Sequence, residues 1–259
     1  MPRALVTGAA KRIGRAIAIE LAEQGYDVAV HYGGSEAEAQ EVVARIRDMG
    51  REAHAVQADL AREAEVQELV PAASAALGGP LTCLVNNASV FEHDTVETAT
   101  RDSWDRHVEC NLRAPFVLTQ SFAAQCPRAR ADTSGEAVAQ GCVVNLVDQR
   151  VRKLTPEFMT YTLTRAALWT LTQTTAQALA PHVRVNAIGP GPTLQAESQD
   201  DDQFARQRAA TVLERGSSPE DICQALRYIL NARALTGQLL CIDGGQHLGW
   251  QTPDVMGVE

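Results

Sequence analysis

The sequence predicts a doubly wound α/β domain, with about seven parallel strands in one sheet and helices on both faces. Three observations predict it. Short apolar runs alternate with helix-period segments along the chain. The strand-like runs are continuously apolar, as at Leu81–Val85, which fits burial on both faces of a sheet. No repeat, low-complexity tract or linker divides the 259 residues, so positions 1–259 read as a single domain.

Ala4–Val6 is the first strand and runs into a glycine turn. Residues 13–24 place Ile13, Ala16, Ile17, Ile19 and Leu21 at helical spacing, and Gly25 stops them. Val28–Val30 is the second strand. Residues 35–49 form a helix that opens at Ser35 and ends before Gly50. Ala53–Val56 is the third strand, and a helix through 64–77 ends at Gly78-Gly79-Pro80. Leu81–Val85 is the fourth strand and leads into Asn86-Asn87-Ala88-Ser89. One long helix covers 101–125, and the polar, turn-rich stretch 127–140 is a surface excursion. Val143–Val147 is the fifth strand, followed by a long helix over 158–180 with Pro181 beyond its end. Val183–Asn186 is the sixth strand and precedes Gly189-Pro190-Gly191-Pro192. Helices near 199–214 and 219–231 and a last strand at 238–242 complete the chain. Strands joined by helices imply right-handed crossovers and a parallel sheet.

Composition narrows the function. A net charge of −9 argues against a nucleic-acid-binding face. No apolar run is long enough to span a bilayer. The opening residues enter a strand rather than a charged, apolar and cleavable leader, so a cytoplasmic protein is expected. The six cysteines, at 83, 110, 126, 142, 223 and 241, form no C-x-x-C pair, and no metal site is expected.

The turn Thr7-Gly8-Ala9-Ala10-Lys11-Arg12-Ile13-Gly14 carries the strongest functional signal. A glycine-rich turn from a first strand into a first helix is where a Rossmann sheet holds a dinucleotide pyrophosphate. Gly8 and Gly14 suit a close backbone approach, and Lys11 and Arg12 stand where phosphate would lie. The second strand ends in His31-Tyr32-Gly33-Gly34-Ser35, with no acid before Glu36. An acid at this place accepts from the ribose 2′-hydroxyl of NAD and would repel a 2′-phosphate. Its absence, with His31 and Ser35 as donors, points to NADP(H).

Further on, Tyr161 and Arg165 lie four apart on one helix face. A phenol with a reference pKa near 10 needs a neighbouring cation to work as an acid at neutral pH. Asp148 closes the fifth strand, at the carboxyl edge where α/β sites form. Read singly, Tyr161 is also a half-buried helix residue, Arg165 a surface charge, Asp148 a turn cap and Phe91 core packing.

Together with Asp59-Leu60, Asn111 and Gly189-Pro190-Gly191, these residues resemble the short-chain dehydrogenase/reductase family. The resemblance covers nearly the whole chain, to Asp243-Gly244-Gly245. Within the family the chain is most similar to the pteridine reductase and dihydromonapterin reductase branch. Arg12 replaces the middle glycine of the turn, His31-Tyr32 ends the second strand, Phe91 follows Asn-Asn-Ala-Ser, and Asp148 replaces the usual serine.

The resemblance implies NADPH-dependent reduction of a pterin-like small molecule by a homotetramer, with the 101–125 and 158–180 helices paired across its interfaces. It implies cofactor contacts from Gly8, Lys11, Arg12, Ile13 and Gly14, and from His31, Tyr32, Ser35, Asp59 and Leu60. Further cofactor contacts fall to Asn87, Ala88, Ser89, Tyr161, Arg165, Pro190 and Gly191. Arg12, Ser89, Phe91, Asp148 and Tyr161 would meet substrate, with Phe91 stacked on the pterin. Asp148, Tyr161, Arg165 and Asn111 would be catalytic: Tyr161 donates the proton and Asn111 positions a water for its relay.

The family pattern is Tyr-x-x-x-Lys, and here the fourth position is Arg165, which effectively never loses its proton. That leaves open an NADP(H)-binding sensor or scaffold with weak catalysis. A general carbonyl reductase of 3-oxoacyl or sugar type is the other alternative. Some pteridine reductases carry an arginine where this chain has Gly34. The polar segment 192–210 is expected to line the substrate pocket as a lid.

Overall fold

The computed structural model describes residues 1–196, 199–252 and 254–256. Positions 197 and 198 of the expected lid, and positions 253 and 257–259 of the expected domain, lie outside the described residues. The main strands are β1 (Arg3–Val6), β2 (Asp27–Tyr32), β3 (Ala53–Gln57) and β4 (Cys83–Asn86). A short antiparallel hairpin, β5 (Arg130–Ala131) and β6 (Ala137–Val138), sits within the predicted surface excursion. Then follow β7 (Gly141–Leu146), β8 (Val183–Pro190) and β9 (Leu239–Ile242). Seven strands form one parallel sheet in the order β3-β2-β1-β4-β7-β8-β9. The order reverses between β1 and β4, and such a switch point opens a crevice at the carboxyl ends of the strands.

Side-chain alternation along the strands divides the core. Ala4, Val6, Val28, Val30 and Val85 face helices α1 (Arg12–Glu23), α2 (Glu36–Asp48) and α8 (Pro219–Asn231). Leu5, Ala29, Leu84 and Val143 face α3 (Glu63–Ala76), α5 (Ala114–Gln125) and α6 (Met159–Ala178). Remaining helices are α4 (Arg101–Val108) and α7 (Asp201–Ala209). Among the described residues no helix is long and apolar enough to cross a membrane.

Three expected elements differ. The 101–125 helix is α4 and α5 joined by a π-helical turn over Glu109–Arg113. Pro115 has no N–H to give the Asn111 carbonyl four residues back, so regular α-helical bonding fails there. The 199–214 helix is confined to α7, where Asp200 and Gln203 form a reciprocal capping box at its start. The 158–180 helix begins only at Met159, because Phe158 adopts the left-handed conformation at φ 55°.

Candidate active site

The crevice at the β1–β4 switch point is fastened by Thr7 and Asn87. Thr7 Oγ1 accepts the N–H groups of Asn87 and Ala88 at 2.9 and 3.0 Å. Asn87 Nδ2 donates to the Thr7 and Gly8 carbonyls at 2.8 and 3.2 Å. Gly8 has φ +62°, and a Cβ on Gly14 would overlap the Gly8 carbonyl oxygen. The turn therefore requires glycine at both places.

His31 has a different role from the expected one. It is buried, its Nδ1 accepts the Gly8 N–H at 3.0 Å, and its Nε2–H donates to the Ala58 carbonyl at 3.1 Å. Burial lowers its pKa to about 4, so the ring is neutral and has no proton left for a 2′-phosphate. His31 shapes the glycine turn from behind. Tyr32 packs against the core cluster behind the same turn.

Two other residues remain accessible at that end. Ser35 stands at the N-cap position of α2 without a side-chain cap bond, and its hydroxyl has no hydrogen-bond partner among the described residues. Lys11 lies beside the first turn of α2, paired with Glu38 at 2.8 Å. Asp59 Oδ1 accepts the Ala61 N–H at 3.0 Å, and Leu60 is buried in the second core cluster.

Arg12 occupies a left-handed position, φ 54°, where glycine is favoured. Its two Nη groups donate to the Gln195 and Leu194 carbonyls at 2.9 and 3.2 Å. One guanidinium therefore joins the phosphate-binding turn to the segment after β8.

Above the sheet lies a cleft of about 280 Å³. Of the predicted residues it brings together Arg12, Ile13, Asn87, Ser89, Phe91, Asp148, Tyr161, Arg165, Pro190 and Gly191. Tyr161, 6 % exposed, donates from its hydroxyl to Asp148 Oδ2 at 2.9 Å. Asp148 also caps the 3₁₀ turn at Gln149–Val151, with Oδ1 accepting the Arg150 N–H at 2.8 Å. Burial raises the Asp148 pKa, against the Arg150 N–H and charge, which lower it. Burial and then the Asp148 charge push the Tyr161 phenol up, while Arg165 pulls it down. The Arg165 guanidinium carbon lies 5.1 Å from the Tyr161 ring centre.

Asn111 is fully buried below the cleft. Its side-chain amide clamps the Val90 backbone, accepting from N–H at 2.8 Å and donating to the carbonyl at 2.9 Å. A further contact reaches Thr164 Oγ1 at 3.3 Å. The side chain therefore holds the loop that carries Ser89 and Phe91.

The cleft also contains residues outside the sequence-based set. Phe158 stacks on Phe91 with ring centres 4.4 Å apart, and Phe91 meets the Tyr161 ring edge-on at 4.7 Å. Arg150 covers the Phe158 ring at 4.9 Å. Phe91 is 43 % exposed and so forms an open aromatic wall. Thr7 was visible within the glycine turn, but no local pattern marks Phe158 or Arg150.

The residues fit a dinucleotide. Arg165 is 2 % exposed, yet its Nε and Nη1 have no hydrogen-bond partner among the described residues. Buried donors of this kind ordinarily find an acceptor, and ribose hydroxyls would supply one. The glycine turn adds a cradle that a side chain would fill.

Comparison with known proteins agrees with this geometry. Residues 2–205 match the family model described as short chain dehydrogenase. The chain is 44 % identical to FolM alternative dihydrofolate reductase 1 from Brucella suis, solved in complex with NADP. That match covers 98 % of each chain with a TM-score of 0.90. It is 32 % identical to the 3-oxoacyl-[acyl-carrier-protein] reductase FabG of Staphylococcus epidermidis, over 95 % of this chain and 98 % of that one. It is 34 % identical to an L-rhamnose 1-dehydrogenase (NAD(P)(+)) of Sphingomonas sp., over 95 % of this chain and 96 % of that one. The chain belongs to the short chain dehydrogenase family and is an oxidoreductase of that family.

Proposed function

We propose that this protein uses NADPH to reduce a flat, pterin-like substrate, with the Tyr161 hydroxyl delivering the proton. The observation that carries the reading is the Tyr161–Asp148 hydrogen bond, made beside Arg165 and under the aromatic wall of Phe91. NADPH supplies the hydride when bound. Ser35 and Lys11 offer donors at the end of β2 where a 2′-phosphate would lie, and the NADP complexes of similar proteins support the same cofactor.

Arg165 stays charged throughout and stabilises the phenolate left when Tyr161 gives up its proton. It cannot pass a proton on. Asp148, whose affinity for a proton is raised, lies 2.9 Å from the phenol oxygen. In its protonated form it is the group placed to return a proton to the phenolate, and water entering the cleft then reprotonates the carboxylate. Phe91, 43 % exposed with one face stacked on Phe158, leaves part of its ring open to a flat substrate. Ser89 and Arg12 line the same cleft, and Asn111 holds the loop that carries Ser89 and Phe91. The proposal includes a cytoplasmic homotetramer. The exposed Trp104 and Leu163 on α4 and α6 support pairing of those helices, and the six free thiols fit a reducing compartment.

The likeness to FabG favours one alternative, reduction of a 3-oxoacyl thioester. Loss of NADPH absorbance with 7,8-dihydrobiopterin and with an acetoacetyl thioester separates the two. The pterin reading expects faster oxidation with the pterin. It also expects Phe91→Ala to raise the pterin KM about threefold to tenfold through loss of aromatic contact. No turnover of any pterin, beside good rates on ketones, overturns it. Tighter binding of NADH than of NADPH overturns the cofactor assignment.

A further inference from the structure

We infer that Asp94 is a positioning residue, which places Tyr161 by capping α6 from a loop outside the helix. The inference rests on the reading of Tyr161 as proton donor. Helix α6 opens without a cap of its own, because Phe158 precedes it in the left-handed conformation and makes no side-chain cap bond. The first N–H groups of a helix need acceptors from elsewhere. Asp94 supplies two of them. Its carbonyl accepts the Met159 N–H at 3.3 Å, and its Oδ1 accepts the Thr160 N–H at 3.0 Å. Tyr161 is the next residue.

This carboxylate is only 2 % exposed, and its Oδ2 is buried without a hydrogen-bond partner among the described residues. It lies against the positive end of α6, where a negative charge is favoured. A buried carboxylate with one oxygen unpaired costs stability, and the contacts of Asp94 to the Met159 and Thr160 N–H groups are what offset that cost here.

A second set of contacts fixes the same registration. Phe91, three residues before Asp94, stacks on Phe158 and meets Tyr161 edge-on. The 91–94 loop is thus fastened to residues 158–161 at both ends. Fraying of the first turn of α6 would shift the Tyr161 hydroxyl from its 2.9 Å contact with Asp148. A displacement of about 1 Å costs on the order of 100-fold in rate.

The test compares Asp94→Ala with Asp94→Asn in the whole protein. Asparagine keeps a capping oxygen and alanine does not. Turnover is read on whichever dihydropterin or ketone the native protein reduces, so failure on pterins overturns only the substrate reading. Asp94→Ala is expected to lower kcat about tenfold or more, with the NADPH KM within about twofold, and Asp94→Asn to recover kcat to within about threefold. Amide hydrogen exchange, which needs no substrate, is expected to quicken about tenfold at Met159, Thr160 and Tyr161 in Asp94→Ala while β7 is unchanged. If the alanine variant fails to fold, Asp94→Val, which fills a similar space without a capping oxygen, takes its place. Unchanged kcat in Asp94→Ala, no recovery in Asp94→Asn, or equal loss of protection in β7 overturns the proposal. Full turnover by Tyr161→Phe overturns the proton-donor reading and the role of Asp94 with it.

Discussion

The Tyr161 hydroxyl donates to Asp148 Oδ2 across 2.9 Å, so the phenol is held by a carboxylate whose own pKa is raised by burial. Between the ordinary carboxyl pKa and this raised value the folded protein binds more protons than the unfolded chain. The stability Asp148 contributes is therefore fully present below the ordinary pKa and lost as pH rises through the raised one. Asp148→Asn has no such titration. Its thermal midpoint, compared with that of the native protein, should rise steadily from pH 3.5 towards neutral in parallel melts.

Arg165 supplies charge rather than a transferable proton. It is 2 % exposed and sits 5.1 Å from the Tyr161 ring centre. Arg165→Met removes the charge and should lower kcat about 100-fold, the size of a lost electrostatic contact to developing negative charge. Arg165→Lys keeps the charge and should stay within about tenfold of the native rate, the difference arising from altered positioning. Steady-state kinetics on the two variants decides the point. Equal losses would show that guanidinium shape, not charge, is what the site needs.

The glycine turn tolerates no side chain at position 14. A Cβ there would overlap the Gly8 carbonyl oxygen and stand 2.5 Å from Asn87 Nδ2. Gly14→Ala should destabilise the fold by about 1–3 kcal/mol, the usual cost of overpacking. Displacing the turn should also weaken NADPH binding about tenfold or more, equivalent to about 1.4 kcal/mol. Fluorescence titration of NADPH and urea unfolding measure both.

His31 gives the fold an acid-sensitive point. Its pKa is lowered from 6.5 to about 4 by burial. Over that window the folded protein binds fewer protons than the unfolded chain, so stability present above pH 6.5 is lost as pH falls towards 4. The full effect is on the order of 3 kcal/mol. His31→Gln removes the titration, and its urea midpoint should fall less steeply than the native one from pH 7 to 4. Identical slopes would mean that the ring is accessible to protons in the folded state.

Much of this architecture was legible because it rests on local pattern. Apolar runs and helical periods located every strand of the main sheet, since burial on both faces leaves little room for polar residues. Glycine at 8 and 14 followed from the tight turn itself. Tyr161 and Arg165 follow from a four-residue helical spacing that puts both on one face. The π turn at 109–113 was less visible, although Pro115 at its end is the reason for it.

By itself, then, the sequence determined the doubly wound sheet, the phosphate-binding turn and the helix that carries Tyr161 beside Arg165. Only the tertiary structure decided what His31, Asn111, Arg12, Phe158 and Asp94 do. Each acts on a partner far away in the chain: His31 on Gly8, Asn111 on Val90, Arg12 on Leu194 and Gln195, Phe158 on Phe91, and Asp94 on Thr160. Contacts of that range arise when strands and helices pack. A buried histidine that braces a backbone turn has the same local sequence as one that binds phosphate, and only its neighbours in space separate the two.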